Sequence, residues 1–328
     1  MSKWPFTKGL HQVGNGLWAW LQPDGSWGYA NAGLIEDSGE TLLVDTLFDL
    51  NLTAEMLRGM RKAVPAAAKI RTVLNTHHNG DHVFGNELVA DAEIIASKAA
   101  AEDMEHRKAS DLANTTANWR ELGPGAAFFY EMMGSKFVFA GIRHVAPTRT
   151  FEKRLDLMIG RKEVNVYEVG PAHTRGDTIA HVPADRTVFA GDIIFVGGHP
   201  VLWAGPCQNW IDACDLMLSW DIDTVVPGHG PITDKAGVRE LRDYLIYIRA
   251  EAKKRFDAGM GPTEAAYDIS LDGWRHWMDA ERILINVHSL WREFGGEAER
   301  DVLTLFALMR KYRQEKCGGE GLFLNLPE

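Results

Sequence analysis

The segment Thr76-His77-His78-Asn79-Gly80-Asp81-His82 carries three imidazoles and a carboxylate within six consecutive residues. A packed apolar core does not tolerate so many polar groups unless a metal ion or a dense hydrogen-bond network satisfies them. Imidazole with carboxylate is a donor set for divalent transition metals, so metal-assisted chemistry is expected. Three further segments each bring a ligand type to the end of a strand: His173 in VGPAHTRGDT, Asp192 in VFAGDIIF and His229 in TVVPGHGP. The chain has 12 histidines, but their position matters more than their number, because several follow strands directly in Gly-rich loops. His181 in TIAHVP sits on a strand and is expected in the core or behind the ligands. His199 in GGHP, seven residues past Asp192, is the candidate for a substrate-facing acid or hydrogen-bond donor.

The elements that must position these residues can be read from periodicity. From Leu10 to Thr46 apolar and polar residues alternate around turns at Gly14 and Gly16, Asp24-Gly25 and Ser38-Gly39, which predicts meandering strands ending in the buried run TLLVDT. Leu50 to Val64 has helical periodicity, and Ile70 to Asn75 is a β-branched run that delivers the His-rich loop at its C-terminal end. Glu93 to Ala96 reads as a strand and Lys98 to Ala109 as a helix. Residues 110–147, with Gly123-Pro124-Gly125 and Phe128-Phe129-Tyr130, read as an insertion: either a lid over the site or a surface excursion. A second β-rich half runs from Thr150 to Phe195, then a helix near Asn209 to Trp220 and a strand from Thr224 to Pro227. Beyond Lys235 apolar residues recur at three and four, as in Leu241, Tyr244, Leu245 and Ile248, which predicts amphipathic helices packed on the β core or on a second subunit of a homo-oligomer. The expected division is a catalytic domain over 1–235 and a helical extension over 236–328, with a mobile Gly-rich tail after Lys316.

Composition bounds the partners. At 45% hydrophobic and 24% charged residues, the 328-residue chain is of ordinary globular type, which excludes disordered and collagen-like classes. Lys+Arg 35 against Asp+Glu 45 leaves −10, so nucleic acid and anionic membranes gain nothing from the overall field and a small-molecule partner is expected. Cys207, Cys214 and Cys317 fit neither a disulfide framework nor a C-x-x-C pair and are expected to be free thiols. The N-terminal MSKWPFTKGLHQVG lacks the apolar run of a signal peptide, and a soluble cytoplasmic protein is expected.

Taken jointly and in order, the His-rich loop, the segments with His173, Asp192 and His229, and the strand TLLVDT resemble the metallo-β-lactamase superfamily over about residues 10–235. The resemblance implies an α/β fold, a four-layered αβ/βα sandwich with metal at its edge, and makes Asp45 the family's structural aspartate. The family loop reads H-x-H-x-D-H, whereas position 79 here is Asn. Carried over, one metal site takes His77, Asn79 and His173, the other Asp81, His82 and His229, with Asp192 bridging. An amide oxygen is a weaker ligand than an imidazole, so the first site loses a strong donor while the second keeps all of its own. His78 lies between ligand positions, where the family residue points away from the metal.

Three outcomes are compatible with that change. A single zinc can occupy the second site, or both sites can fill with Asn79 or a water completing the first. The third uses His77, His173 and Asp192, two histidines and a carboxylate, as the facial triad of a non-haem Fe(II) oxygenase; persulfide dioxygenases of this superfamily use these positions for iron. Zinc, one ion tightly bound and at most a second, is the expected cofactor, with iron or manganese as alternatives. The expected activity is hydrolysis of an ester, lactone, thioester or amide of a small apolar molecule, with a metal-bound water of pKa lowered toward about 7 as nucleophile. Asp81 would help to orient or deprotonate that water where it is not itself a ligand. The alternatives are an oxygenase, a non-hydrolytic lyase, decarboxylase or cyclase, and a degenerate metal-binding scaffold. Trp20, Trp27, Tyr29, Phe128 to Tyr130, Trp203 and Trp210 supply aromatic surface near the expected mouth, and Arg175 is placed to meet a substrate carboxylate or to stay solvated.

Overall fold

The alternating stretch at the N-terminus forms an antiparallel meander of β1 (Gly9–Gly14), β2 (Leu17–Leu21), β3 (Ala32–Asp37) and β4 (Glu40–Val44). The structure, a computed structural model, describes residues 4–316; Cys317 and the Gly-rich tail lie outside the described residues. Three parallel strands extend the sheet: β5 (Thr72–Leu74), β6 (Glu93–Ser97) and β7 (Arg149–Phe151). The second sheet runs β12 (Thr224–His229), β11 (Thr187–Phe195), β10 (Thr178–Val182), β9 (Lys162–Glu168) and β8 (Arg154–Ile159) in spatial order.

Ten α-helices accompany them: α1 (Leu50–Ala63), α2 (Gly80–Val83), α3 (Lys98–Met104), α4 (Ala109–Ala117), α5 (Pro124–Phe129), α6 (Cys207–Ser219), α7 (Lys235–Asp257), α8 (Pro262–Asp268), α9 (Ile283–Glu293) and α10 (Val302–Lys316), the count being of described residues. The sheets bury their facing sides against each other, with Leu17, Ile35 and Val44 meeting Val164, Val182 and Phe189. The other side of the first sheet is covered by α1 through Met56, Leu57 and Met60. Outside the second sheet lie α6, α7 and α9, with Trp210, Leu241, Tyr244 and Leu245 fully buried. Helix, sheet, sheet and helix make the four-layered sandwich, each amphipathic face finding an apolar partner.

Parallel pairing sends chain ends to one edge, which is where ligands converge in such sheets. β4 stops at Val44 just before Asp45, and β5 stops at Leu74 just before the His-rich loop. β11 and β12 are also parallel, with Phe195 opposite His229. Their register is irregular around Gly191, which has φ 49 and where a Cβ would lie 2.6 Å from Thr76 Oγ1. A side chain there would hold β11 away from the loop after β5, so the glycine lets the two sheets meet at the site.

The helices after residue 235 share one buried cluster with β11 and with the 128–139 segment. α10 lies on α5, and Arg310 reaches Glu131 at 2.8 Å beneath the surface. Asp49 caps α1 through Leu52 N at 2.8 Å, while its other oxygen accepts from Val138 N at 3.0 Å, so the start of α1 also anchors the insertion. None of the helices among the described residues is long and apolar enough to cross a membrane.

Candidate metal centre

Four imidazoles meet around Asp192, whose Oδ2 lies 3.3 Å from His173 Nε2, 3.6 Å from His229 Nε2 and 3.8 Å from His77 Nε2, with Oδ1 3.0 Å from His82 Nε2. Each ring is held from behind by its other nitrogen. His77 Nδ1 is 3.0 Å from Thr76 Oγ1, His82 Nδ1 2.9 Å from Asp45 Oδ2, His173 Nδ1 2.6 Å from the Val201 carbonyl and His229 Nδ1 3.1 Å from the Gly25 carbonyl. An acceptor on Nδ1 fixes the tautomer that leaves Nε2 with a lone pair, the arrangement metal-ligating histidines use. His77 Nε2 is buried without a hydrogen-bond partner. Asp81, whose Oδ2 is 3.2 Å from His229 Nε2 and 3.9 Å from His82 Nε2, completes the cluster. The donor atoms fall into two groups compact enough for an ion, one of His77, His82 and Asp192, the other of Asp81, His82 and His229.

Asp45 supports this cluster from below. Its φ of 64 is left-handed, at a cost of about 1–2 kcal/mol for a residue with a Cβ. That conformation lets one carboxylate accept from Thr76 N, Thr76 Oγ1 and His82 Nδ1 at 2.7, 2.7 and 2.9 Å. The Thr76 hydroxyl thus donates to Asp45 and receives from His77, tying both ligand rings to one side chain. Asp177, which carried no signal in the sequence, does the same for the loop bearing His173, accepting from Thr174 N and Oγ1 at 2.8 and 2.6 Å.

The field of the site calls for a cation. Burial opposes ionisation of Asp192, yet the His229, His82 and His77 rings outweigh it and hold the carboxyl well below its usual range. Burial pushes His77 and His173 down, so both offer neutral donors. On His82 burial is outweighed by Asp192, Asp45 and Asp81, which raise it well above the usual range. A proton there does what a bound ion would do, neutralising buried carboxylates. Donor types, orphaned Nε2 and charge all fit a divalent metal.

The structure therefore brings together His77, Asn79, Asp81, His82, His173, Asp192 and His229, and it places the others differently. Asn79 turns its amide toward His173 Nε2 at 3.0 Å, filling the position where the family has an imidazole. His82, assigned to the second site alone, belongs to both donor groups. His199 is a correction: it does not face the substrate cavity but is fully buried between Tyr244 and Trp277, with ring centroids 5.1 and 5.5 Å away. Burial and Arg282 push its imidazole down to about 3, while its backbone is engaged on both sides, the carbonyl accepting from Arg282 Nη1 at 2.7 Å and the N–H donating to the Met278 carbonyl at 2.9 Å. A Gly-rich loop does not by itself put a side chain at the surface when two helices fold back over it. His181 stacks on Trp220 at 4.4 Å, as a core residue. Arg175 binds Asp103 at 2.5 Å and Glu102 at 3.3 Å.

Asn79, Asp81, His173, Asp192 and His229 line a cavity of about 500 Å3 whose walls include Trp27, Phe48, Phe84, Phe129, Phe195 and Phe306. Trp27, Phe129 and Trp203 reach it as expected, whereas Trp20, Phe128 and Trp210 are core. The 110–147 insertion contributes Asp111, Leu112, Thr115, Phe129 and Met133, and α10 contributes Val302, Leu303 and Phe306. Phe48, Phe84, Phe195 and Phe306 had no local sequence signal, since a wall built from separate segments shows no pattern in any one of them.

A family model for the metallo-beta-lactamase superfamily matches residues 25–229. Curated relatives include the 2,4-dinitroanisole O-demethylase subunit alpha of Nocardioides sp. (strain JS1661), 24% identical over 202 residues, or 60% of this chain and 51% of that protein. A hydroxyacylglutathione hydrolase of Maricaulis maris (strain MCS10) is 23% identical over 227 residues, 69% of this chain and 64% of that one. The chain thus spans between half and two thirds of the length of these relatives. Among solved structures, a double mutant of the sec-alkyl sulfatase PisA1 aligns with TM-score 0.65 at 14% identity, covering 88% of this chain and 50% of that one. A metallo-beta-lactamase from Pontibacter korlensis aligns with TM-score 0.56 at 17% identity, covering 73% and 99%. At such identities the likeness is one of fold.

Proposed function

Since the chain belongs to the metallo-β-lactamase superfamily, we propose that it is a metal-dependent hydrolase of a small, largely apolar ester, lactone, thioester or amide, working with one tightly held divalent ion. The observation that carries the proposal is the set of four imidazoles, each anchored through Nδ1 and turned by Nε2 toward Asp192 on the floor of an aromatic cavity. Asp81, His82 and His229 would hold the ion, since their donors are complete. At the other position Asn79, 3.0 Å from His173 Nε2, puts an amide where the family has an imidazole, so that donor set is the weaker one.

A zinc ion in such a site supplies Lewis acidity toward a carbonyl and lowers the pKa of a water. The chain's own part is to position and to exclude. Asp192, held ionised and lining the cavity, accepts a hydrogen bond from the attacking water and orients it. Phe48, Phe84, Phe129 and Phe306 desolvate the apolar part of the substrate and seat its scissile bond against Asp81 and His173. The relatives named as a hydroxyacylglutathione hydrolase and a sec-alkyl sulfatase support hydrolysis in this fold. The test is an assay of zinc-loaded protein on apolar aryl esters, lactones, thioesters and amides with an oxygen electrode in the same vessel. Hydrolysis abolished by a chelator, restored by zinc and accompanied by no oxygen uptake is expected; chelator-insensitive turnover, or oxygen consumption with iron, contradicts the proposal.

A further inference from the structure

Beside the aromatic chamber lies a second, polar pocket of about 400 Å3, and His78, His106, Arg107 and Trp203 line both. The polar pocket adds Asp103, Thr174 and Arg175. Its carboxylate, Asp103, is already engaged by Arg175 at 2.5 Å. Arg107 is in the opposite condition: among the described residues no carboxylate lies within 4.0 Å of its guanidinium. His78 is 9% exposed, and its buried Nδ1 has no hydrogen-bond partner, the nearest carboxylate oxygen, Asp103 Oδ2, being 3.8 Å away. A chain of net charge −10 therefore lines this pocket with an unpaired cation and an unpaired buried imidazole.

We infer that the polar pocket is an anion subsite, and that the substrate is bipartite: an apolar group in the aromatic chamber and a carboxylate in the polar pocket, held by Arg107 and His78. The exposed, planar guanidinium of Arg107 beside the buried His78 ring matches a carboxylate in shape and charge, and such charge-assisted bonds discriminate against a neutral isostere by about tenfold. Asp81, His173 and Asp192 line the chamber, so the apolar arm of such a molecule lies against the metal centre while its carboxylate reaches Arg107. That last point rests on the hydrolase reading; the anion subsite itself does not.

The test is a binding measurement without turnover, so it can succeed or fail whatever the enzyme hydrolyses. Phenylbutanoate and phenylbutanamide, equal in shape and different in charge, are titrated against the metal-loaded protein by calorimetry, then against Arg107→Ala and Arg107→Glu. The acid should bind the wild type about tenfold more tightly than the amide, the ratio should fall to about one in Arg107→Ala, and it should invert in Arg107→Glu. The amide serves as the reference for folding in each variant. Equal affinities in the wild type, or a preference for the acid that survives both substitutions because the carboxylate sits on the metal instead, would overturn the inference.

Discussion

The proposed single-ion centre turns on Asn79, an amide 3.0 Å from His173 Nε2 where the family has an imidazole, a stronger donor. Under the proposed single-ion site, the ion would depend on Asp81, His82 and His229. Substituting His82 or His229 by alanine should lower metal affinity by at least about 100-fold and remove turnover, whereas His77→Ala should keep much of its metal. Equilibrium dialysis with metal analysis on the purified variants reads this directly; equal retention by all three, or a greater loss in His77→Ala, contradicts it. The side chains that cluster around Asp192 were legible in the sequence as candidate ligands because imidazole and carboxylate after strands have few other uses. His199 was not, since its burial comes from Trp277 and Tyr244, far along the chain, and no local pattern announces that. Asp45 could be named as structural only through resemblance; its left-handed backbone and its three accepted bonds required coordinates.

Strand geometry sets the ligands' spacing, and the clearest constraint lies between β11 and β12. A Cβ at Gly228 would lie 2.0 Å from Asp192 Oδ1, so the carboxylate owes its place to the absent side chain. Gly228→Ala should therefore displace Asp192, weaken metal binding by at least about tenfold and cost about 1–3 kcal/mol of stability; unchanged zinc affinity in a chelator competition would show that Asp192 has room to spare. Most elements could be read from periodicity: the helix expected at Leu50 to Val64 ends at Ala63, and the strand expected at Glu93 to Ala96 ends at Ser97. The helix expected from Lys98 to Ala109 breaks after Met104, because Asp111 accepts from Lys108 N and starts a second helix at Ala109. That break creates the turn from which Arg107 lines the cavity. A local capping preference outcompeted a continuous helical pattern, which periodicity alone does not register.

At the level of the whole molecule the helices beyond residue 235 close the centre from outside. Asp279 pairs with Arg282 at 3.0 Å with both side chains buried, and it accepts from Ser26 Oγ at 2.9 and 3.0 Å. Ser26 follows Gly25, whose carbonyl holds His229 Nδ1, so a contact from the C-terminal part steadies a ligand from the β core. Asp279→Ala strands a buried guanidinium and should cost about 3–5 kcal/mol, seen as a lowered denaturant midpoint; a change below about 1 kcal/mol would mean that Arg282 finds water or another acceptor. The sequence indicated amphipathic helices but left open whether they pack on the core or on a second subunit, since an apolar stripe does not name its partner. Whether the assembled protein holds one tight metal ion tests the account most directly. Apoprotein titrated with zinc, and followed by calorimetry and elemental analysis, should take up one tight equivalent and at most one weaker by about tenfold or more, in keeping with Asn79 in place of an imidazole. Two equally tight equivalents, or a protein that retains iron in preference to zinc and consumes oxygen with its substrate, would contradict it.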